Sequence, residues 1–318
     1  MRADKPLVIC IAGPTAVGKT DLAIDLLESF SSEIPLGIIS VDSALVYRGM
    51  NIGTAKPDAE TLARAPHRLI DIRDPWESYS AGDFCKDVVH EIREMTAAGI
   101  TPLLVGGTMM YFHSLQTGLA ELPEADPKLR AAIDAEAAEL GWPALHDELK
   151  REDPESAARI QPGDAQRIQR ALEVYRITGE PISRLQKDTR PPLAAEYINI
   201  GLMPADRSVL HERIARRFDL MLKAGFEEEV RSLLAMPQMS ADAVSLRAVG
   251  YRQMVEHLEG STDSETMREN AIVATRRLAK RQLTWLRSMA GMQQLEAESA
   301  GRLATARRII VKAMTKTD

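Results

Sequence analysis

The residues with the clearest chemical signature form an anion-binding motif near the start of the chain. The segment GPTAVGKT at 13–20 fits the pattern G-x-x-x-x-G-K-[ST], with Gly13, Gly18, Lys19 and Thr20 at the defining positions. In such a loop the glycines let backbone N–H groups surround a phosphate, the lysine adds a mobile positive charge, and the threonine hydroxyl can ligate Mg²⁺. The motif predicts a site for a diphosphate or triphosphate, but it does not identify the molecule that carries it.

Two further polar residues follow apolar segments that are expected to be strands. Asp42 follows residues 36–41, and Thr108 follows residues 101–105 and two glycines. The carboxyl ends of parallel strands share one edge of a sheet, so both residues are expected near the phosphate-binding loop. Asp42 is a candidate base, although it could instead cap the next turn through Ser43. Thr108 could donate to a phosphate oxygen or simply end a strand, and the pattern leaves both alternatives open.

The elements that must position these residues alternate between strands and helices. Short apolar runs at 7–12, 36–41 and 101–105 predict buried strands. Helical patterns extend from Lys19 to about Glu28 and from Asp83 to Ala98. This alternation predicts an α/β fold with a parallel sheet, in which three loops converge at the carboxyl edge.

The composition changes between residues 122 and 190, where Ala, Glu and Arg dominate and prolines separate short helical segments. We interpret 122–190 as an all-helical inserted domain that interrupts an α/β core formed by 1–121 and 191–318. Strand character returns at 197–203, and the rest of the core is predicted to be mostly helical. The polar tail after Ser299 is expected to fray.

Composition restricts the class of protein. The formal net charge of −6 over 318 residues gives no overall attraction to nucleic acid, so a polyanion would need a local basic patch. Two cysteines make a disulfide framework or a thiolate zinc site improbable and fit a reducing compartment. Since neither a membrane-spanning run nor a signal-peptide pattern is present, we expect an unprocessed cytoplasmic protein with no membrane partner.

Three segments concentrate basic residues, with glutamine or aromatic residues between them. They are QRIQRALEVYRITG at 166–179, LRAVGYRQM at 246–254 and RRLAKRQLTWLR at 276–287. A solvated helix face is the usual explanation for any one such run. Three of them, with interleaved Gln, Tyr and Trp, favour binding of a phosphate backbone and unstacked bases.

Several activities are compatible with these residues. A small-molecule kinase would bind ATP in the loop and use Asp42 to accept a proton from a substrate hydroxyl. A transferase would bind a different diphosphate as the leaving group, with Asp42 activating the nucleophile. An RNA-binding NTPase switch would hydrolyse a nucleotide without any transfer. The phosphate-binding loop alone does not separate these activities.

The chain resembles the bacterial tRNA dimethylallyltransferases, also called tRNA isopentenyl-adenosine transferases, over nearly its whole length. The most specific segment is VDSALVYRGMNIGTAKP at 41–57. The other matching segments occur in the same order: GPTAVGKT, DIRDP, YSAGDF, GGTMMYF, DAQRIQRALEV, HERIARRFDLML, GFEEEV, VGYRQM and ATRRLAKRQLTWLR. The resemblance implies a P-loop NTPase/kinase-like core with a helical insertion. It also implies transfer of a dimethylallyl group from dimethylallyl diphosphate, with Mg²⁺, to N6 of the adenosine 3′-adjacent to the anticodon of certain tRNAs.

The resemblance also implies roles for individual residues. Asp42 is expected to take the proton of the adenine amine, because the delocalised lone pair makes this amine a poor nucleophile. Thr108 is expected to bond the oxygen that bridges carbon and phosphorus. Arg217 and Lys19, with Mg²⁺ at Thr20, are expected to neutralise the departing diphosphate.

The resemblance also implies two binding surfaces. We expect the protein to be a monomer, so that one chain forms both surfaces. The diphosphate site comprises Gly13, Pro14, Thr15, Ala16, Val17, Gly18, Lys19 and Thr20. The surface for the tRNA anticodon stem-loop comprises Asp42, Ser43, Ala44, Leu45, Thr108, Arg130, Gln166, Arg167, Ile168, Gln169, Arg170, Arg247, Gly250, Tyr251, Arg252, Lys280, Arg281 and Arg287.

Overall fold

The computed structural model describes residues 5–315, and the chain divides into two compact units. The first unit comprises Met1–His113 and Leu193–Asp318, and the second comprises Ser114–Pro192. The interval 122–190, which the sequence predicts to be an insertion, lies inside the second unit.

The first unit contains a parallel sheet. Its strands are β1 (Leu7–Ala12), β2 (Leu36–Val41), β3 (His67–Arg68), β4 (Thr101–Gly106), β5 (Glu196–Met203) and β6 (Gln293–Glu296). Their order across the sheet is β3-β2-β4-β1-β5-β6, and every pair is parallel. The fold is therefore α/β with a P-loop-type core, as the sequence predicts.

The helices are numbered along the chain. They are α1 (Lys19–Phe30), α2 (Ala59–Arg64), α3 (Ala81–Ala97), α4 (Met109–Thr117), α5 (Pro127–Leu140), α6 (Trp142–Glu152), α7 (Pro154–Ala157), α8 (Ala165–Thr178), α9 (Ile182–Leu185), α10 (Arg207–Lys223), α11 (Phe226–Leu234), α12 (Tyr251–Leu258), α13 (Ser264–Ser288) and α14 (Arg302–Met314). A 3₁₀ turn at Ser245–Arg247 precedes α12.

Strand register brings three loops to the same edge of the sheet. In the register of the sheet, Ala12 at the end of β1 pairs with Gly106 at the end of β4. Gly106 also pairs with Val41 at the end of β2. Gly106 allows this close approach, because a Cβ atom there would lie 2.0 Å from the Val41 carbonyl oxygen. The residues that follow β1, β2 and β4 therefore emerge side by side, as the sequence predicts.

The four apolar strands predicted from the sequence form where expected, with bounds that differ by at most one residue. Strands β3 and β6 lie at the two edges of the sheet and were not predicted. The sequence of β3 is HR and that of β6 is QQLE, so neither has an apolar run that indicates a strand.

The prediction that the tail frays after Ser299 is wrong up to Thr315. Helix α14 packs against α1 and buries Ala306 and Ile310 completely. The Arg307 guanidinium lies 4.1 Å from the centroid of the Phe30 ring and 2.7 Å from Glu33 Oε1. These contacts hold the tail on the core, although its composition is polar.

The second unit has its own apolar core. Ile133 of α5, Leu149 of α6 and Leu172 of α8 are completely buried in it. Within residues 5–315, none of the helices combines the length and the apolar character that crossing a membrane requires.

Candidate active site

The phosphate-binding loop at 13–20 joins β1 to α1. Gly13 is required by packing, because a Cβ atom there would lie 2.9 Å from Val17 Cγ1 and 3.0 Å from the Leu202 carbonyl oxygen. Gly18 has a φ of 94°, in the left-handed region that favours glycine, and it precedes the first turn of α1. The helix therefore begins without a side-chain cap, and its amino terminus can bind an anion instead.

Lys19 folds back over this loop. Its Nζ atom donates a hydrogen bond of 2.8 Å to the Pro14 carbonyl oxygen. Burial lowers the pKa of Lys19 to about 8, with a further lowering by the positive charge of Arg217 and an opposing effect from the carboxylate of Asp42. The three side chains thus share one electrostatic environment, and a bound anion would favour the charged form of the lysine.

Arg217 reaches the loop from α10. It donates 3.0 Å to the Thr54 carbonyl oxygen and approaches Thr15 Oγ1 at 3.5 Å. Burial lowers the pKa of this guanidinium, and the carboxylate of Asp42 opposes the shift. Arg216 is exposed, so the geometry favours Arg217 as the inner cation.

A cavity of about 360 Å³ opens beside the loop. It is lined by Ala16, Gly18, Lys19, Thr20 and Asp21, and by Arg213, Arg216, Arg217 and Leu220 of α10. Arginines at i, i+3 and i+4 face the same side of a helix, so α10 presents several cations to the loop. A cavity lined in this way suits a small polyanion such as a diphosphate.

The Asp42 loop shows the capped turn that was one of the two interpretations made from the sequence. Asp42 Oδ1 accepts hydrogen bonds from the backbone N–H groups of Ala44 (2.8 Å) and Leu45 (3.3 Å), so the aspartate caps the following turn. Both bonds end on Oδ1. The cap therefore fixes the orientation of the carboxylate, and the role of Asp42 as a base stays a prediction.

Thr108 joins two of the three loops. Its Oγ1 accepts a hydrogen bond of 3.1 Å from the Ser43 N–H, and its own N–H donates 3.2 Å to the Val41 carbonyl oxygen. The threonine therefore does more than end β4, because it sets the position of the residue next to Asp42.

Gln282 was missed as a site residue by sequence reasoning. Its Oε1 accepts from the Thr15 N–H at 2.9 Å, and its Nε2 donates 2.8 Å to the Gly107 carbonyl oxygen. Because the Thr15 N–H already has this partner, we expect the loop amides that face an anion to begin after Thr15. The run at 276–287 was interpreted by its basic residues. Helical periodicity is the signal that could have identified Gln282, because it places this residue on the same face as the buried Leu283 and Leu286.

Glu229 of α11 is a second residue that sequence reasoning missed. Its carboxylate accepts from the N–H groups of Asn51 (2.9 Å), Ile52 (2.7 Å) and Gly53 (3.1 Å), and from Tyr251 Oη (2.6 Å). Glu229 thereby fixes the loop at 51–54, whose last residue, Thr54, accepts the hydrogen bond from Arg217.

Two predicted RNA contacts in this region are corrected by burial. Tyr251 is 0 % exposed and packs edge-on against Phe226, with ring centroids 5.0 Å apart. Gly250 is buried as well. Neither residue presents surface to RNA, and both position α12 instead. Their neighbours Arg247 and Arg252 are exposed.

Helix α13 has two different faces. One face is buried through Ala279, Gln282, Leu283 and Leu286. The other exposes Lys280, Arg281, Trp285 and Arg287. Lys280, Arg281 and Arg287 are therefore accessible cations on this face, and their binding of RNA stays a prediction.

In the second unit, the residues that are predicted to contact RNA differ in how exposed they are. Arg130 and Arg170 both bind Glu173, which is 0 % exposed, at 2.8 and 2.6 Å. Ile168 is completely buried in the core, so the prediction that it contacts RNA is wrong. Gln169 donates 2.6 Å to Asp134 Oδ1. Gln166 and Arg167 are exposed on the first turns of α8.

The comparisons with known proteins agree with one another. Residues 45–289 match the family model for IPP transferase. A tRNA dimethylallyltransferase from Thioalkalivibrio sulfidiphilus is 54 % identical over 96 % of this chain and 94 % of its own length. The tRNA isopentenylpyrophosphate transferase of Bacillus halodurans is 35 % identical, with a TM-score of 0.71 over 98 % of each chain.

A third similarity supports the fold alone. The structure of a eukaryotic dimethylallyltransferase acting on tRNA has a TM-score of 0.78 at 24 % identity, covering 98 % of this chain and 80 % of the other. None of these matches supports the kinase alternative, and the family model with the two relatives named first confirms the resemblance seen in the sequence motifs. On the family match and on a relative that is 54 % identical over nearly its whole length, the chain belongs to the IPP transferase family.

Proposed function

We propose that this chain transfers a dimethylallyl group from dimethylallyl diphosphate to N6 of the adenosine that is 3′-adjacent to the anticodon of tRNA. The observation that carries the proposal is the arrangement of Lys19, Arg217, Asp42 and Thr108. They are held around one carboxyl edge of the sheet by the hydrogen bonds of their loops, in a member of the IPP transferase family.

The diphosphate would lie in the cavity at the start of α1. Loop amides from Ala16 to Thr20, the Lys19 ammonium group and the Arg217 guanidinium would bind its oxygens. Because both cations are partly withdrawn from solvent in the free protein, their charges favour an anion more strongly here than they would in bulk water. As the allylic C–O bond breaks, the diphosphate leaves with the electron pair and these groups stabilise its growing charge.

The residues at the cavity fit a magnesium ion held mainly by the substrate. Mg²⁺ commonly binds one or two protein oxygens together with phosphate oxygens and water. Thr20 lines the cavity, and within residues 5–315 no group of three or more His, Cys, Asp or Glu side chains could form an all-protein metal site. When bound there, the ion would neutralise charge on the leaving diphosphate.

Asp42 would complete the transfer by removing a proton. As the N6–carbon bond forms, the amine becomes positively charged, and Oδ2 of Asp42 accepts one of its hydrogens. The cap formed by Ala44 and Leu45 N–H keeps the carboxylate from rotating away. Thr108, on the neighbouring loop, would bond the oxygen that bridges carbon and phosphorus.

The anticodon arm would bind the exposed cations of α13 and the exposed arginines Arg247 and Arg252. Taking the adenosine out of its stack costs a few kcal/mol, which phosphate contacts must offset. Among the residues of the second unit that are predicted to contact RNA, Gln166 and Arg167 are the exposed ones. We expect the reaction to take place in the cytoplasm and to need only one chain.

One assay tests the proposal against both alternatives. Purified protein is incubated with Mg²⁺, unmodified tRNA and dimethylallyl diphosphate that is radiolabelled in the prenyl group. We expect label in the tRNA without ATP, and a loss of at least a hundredfold in turnover for Asp42→Asn, which keeps the turn but removes the base. Label that enters only with ATP, or an Asp42→Asn variant with full turnover, would overturn the proposal.

A further inference from the structure

Gln282 is a buried amide that belongs to no assigned binding or catalytic group. Its side chain is enclosed on the inner face of α13, and its residue is 8 % exposed. Both polar atoms of the amide are paired with backbone groups of the active-site loops, at 2.9 Å to the Thr15 N–H and 2.8 Å to the Gly107 carbonyl oxygen. These bonds span 267 and 175 residues of sequence, so they join distant parts of the chain.

The two bonds connect all three loops of the site. The first anchors the phosphate-binding loop at Thr15, whose Oγ1 is also approached by Arg217 at 3.5 Å. The second anchors Gly107, and the next residue, Thr108, holds the Ser43 N–H beside Asp42. A displacement of Gln282 would therefore change the positions of both the diphosphate-binding loop and the Asp42 loop.

The Gln282 amide lies directly against Gly107. A Cβ atom at Gly107 would lie 2.6 Å from Gln282 Nε2, so a larger residue there would displace the end of the glutamine side chain. Buried amides of this kind are costly when unpaired, and they define a single arrangement when both ends are satisfied.

The position of Gln282 on α13 gives the contact a second consequence. Lys280 and Arg281 are the two residues that precede it, and they lie on the exposed face, which is the proposed tRNA surface. A shift of this helix when RNA binds would be transmitted to Thr15 and Gly107 through the two hydrogen bonds of the Gln282 amide.

We propose that Gln282 is a positioning residue that couples tRNA binding on α13 to diphosphate binding in the loop at 13–20. The coupling rests on the proposed function, since it assumes that the exposed face of α13 binds tRNA. Coupling is reciprocal, so each ligand raises the affinity of the protein for the other by the same factor.

The test compares Gln282→Met with the wild-type protein. Methionine has a similar length and volume but makes neither hydrogen bond. The dissociation constant of inorganic diphosphate with Mg²⁺ is measured by calorimetry. That of an anticodon stem-loop RNA is measured by fluorescence anisotropy, with and without saturating diphosphate. The matched control is Gln294→Met, which changes an exposed glutamine of β6.

For the wild type we expect each ligand to tighten the other at least threefold. For Gln282→Met we expect diphosphate binding to weaken about tenfold, as the loss of one to two net hydrogen bonds predicts, and the mutual tightening to disappear. RNA affinity in the absence of diphosphate should change less than twofold, and Gln294→Met should match the wild type throughout.

Gly107→Ala provides an independent perturbation of the same contact, because the new Cβ atom would displace the Gln282 amide. The double variant should be no more impaired than the worse single variant, since both changes break one contact. Fully additive losses, or a Gln282→Met protein with wild-type diphosphate affinity and intact coupling, would overturn the proposal. Prenyl transfer by the wild type tests the proposed function separately, so the two failures are distinguishable.

Discussion

The first prediction concerns the effect of Lys19 on stability. Desolvation of its ammonium group favours binding of an anion, but it should also lower the free energy of unfolding of the free protein. Burial lowers its pKa from 10.5 to about 8. At about 1.4 kcal/mol for each pKa unit, the charged lysine costs at most about 3 kcal/mol near pH 7. Removing its hydrogen bond to the Pro14 carbonyl oxygen would cost about 1 kcal/mol. Lys19→Met should therefore raise the free energy of unfolding by about 2 kcal/mol while abolishing diphosphate binding.

The sign of the pH dependence is fixed by the direction of the shift. Between the folded pKa, about 8, and the unfolded pKa, 10.5, the unfolded chain holds more protons, so the stability of the wild type rises with pH. At pH 9.5 the cost of burying the charge falls to about 1 kcal/mol, which the lost hydrogen bond offsets. The stability difference between Lys19→Met and wild type should therefore be present at pH 7 and nearly absent at pH 9.5.

Thermal unfolding measures both effects. For a chain of this size, 2 kcal/mol corresponds to a rise in Tm of about 3 °C at pH 7. Added inorganic diphosphate should raise the Tm of the wild type and leave that of the variant unchanged. Lys280→Met, which removes an exposed lysine, should behave as wild type at both pH values. A Lys19→Met variant that is less stable than wild type at pH 7, or a stability difference that does not narrow at pH 9.5, would show that burial of the Lys19 charge does not destabilise the free protein.

Three further predictions concern single contacts. Thr108→Val keeps the shape of the side chain but removes the acceptor for the Ser43 N–H, so kcat should fall about tenfold while the RNA dissociation constant stays unchanged. A variant with the kcat of the wild type would contradict this prediction. Arg281→Ala should lower the slope of log K against log salt for RNA binding by about 1, and an unchanged slope would exclude Arg281 as a phosphate contact. Glu173→Gln should destabilise the second unit by about 2 kcal/mol in urea unfolding. This is below the 3–5 kcal/mol of a fully buried pair, because Arg130 keeps access to water, and a change under about 0.5 kcal/mol would contradict it.

Much of the fold follows from the sequence. The apolar strands β1, β2, β4 and β5 and the phosphate-binding loop have local signals, because burial on both faces requires continuous apolar runs and a loop that binds phosphate requires glycine and lysine at fixed positions. The same alternation places Asp42 and Thr108 at one edge of the sheet. The edge strands β3 and β6 and the packing of α14 had no such signal, since they depend on partners that are distant in sequence.

Within the site, the residue types and the loops that carry them can be read from the sequence. Which of these residues are exposed depends on how the helices pack. Tyr251 and Ile168 lie within segments that favour RNA binding but are buried, because helical periodicity does not show which face meets the core when a helix carries polar residues on both sides. Gln282 shows the converse: a polar residue in a basic run turns inward, because two backbone groups more than a hundred residues away need a hydrogen-bond partner there.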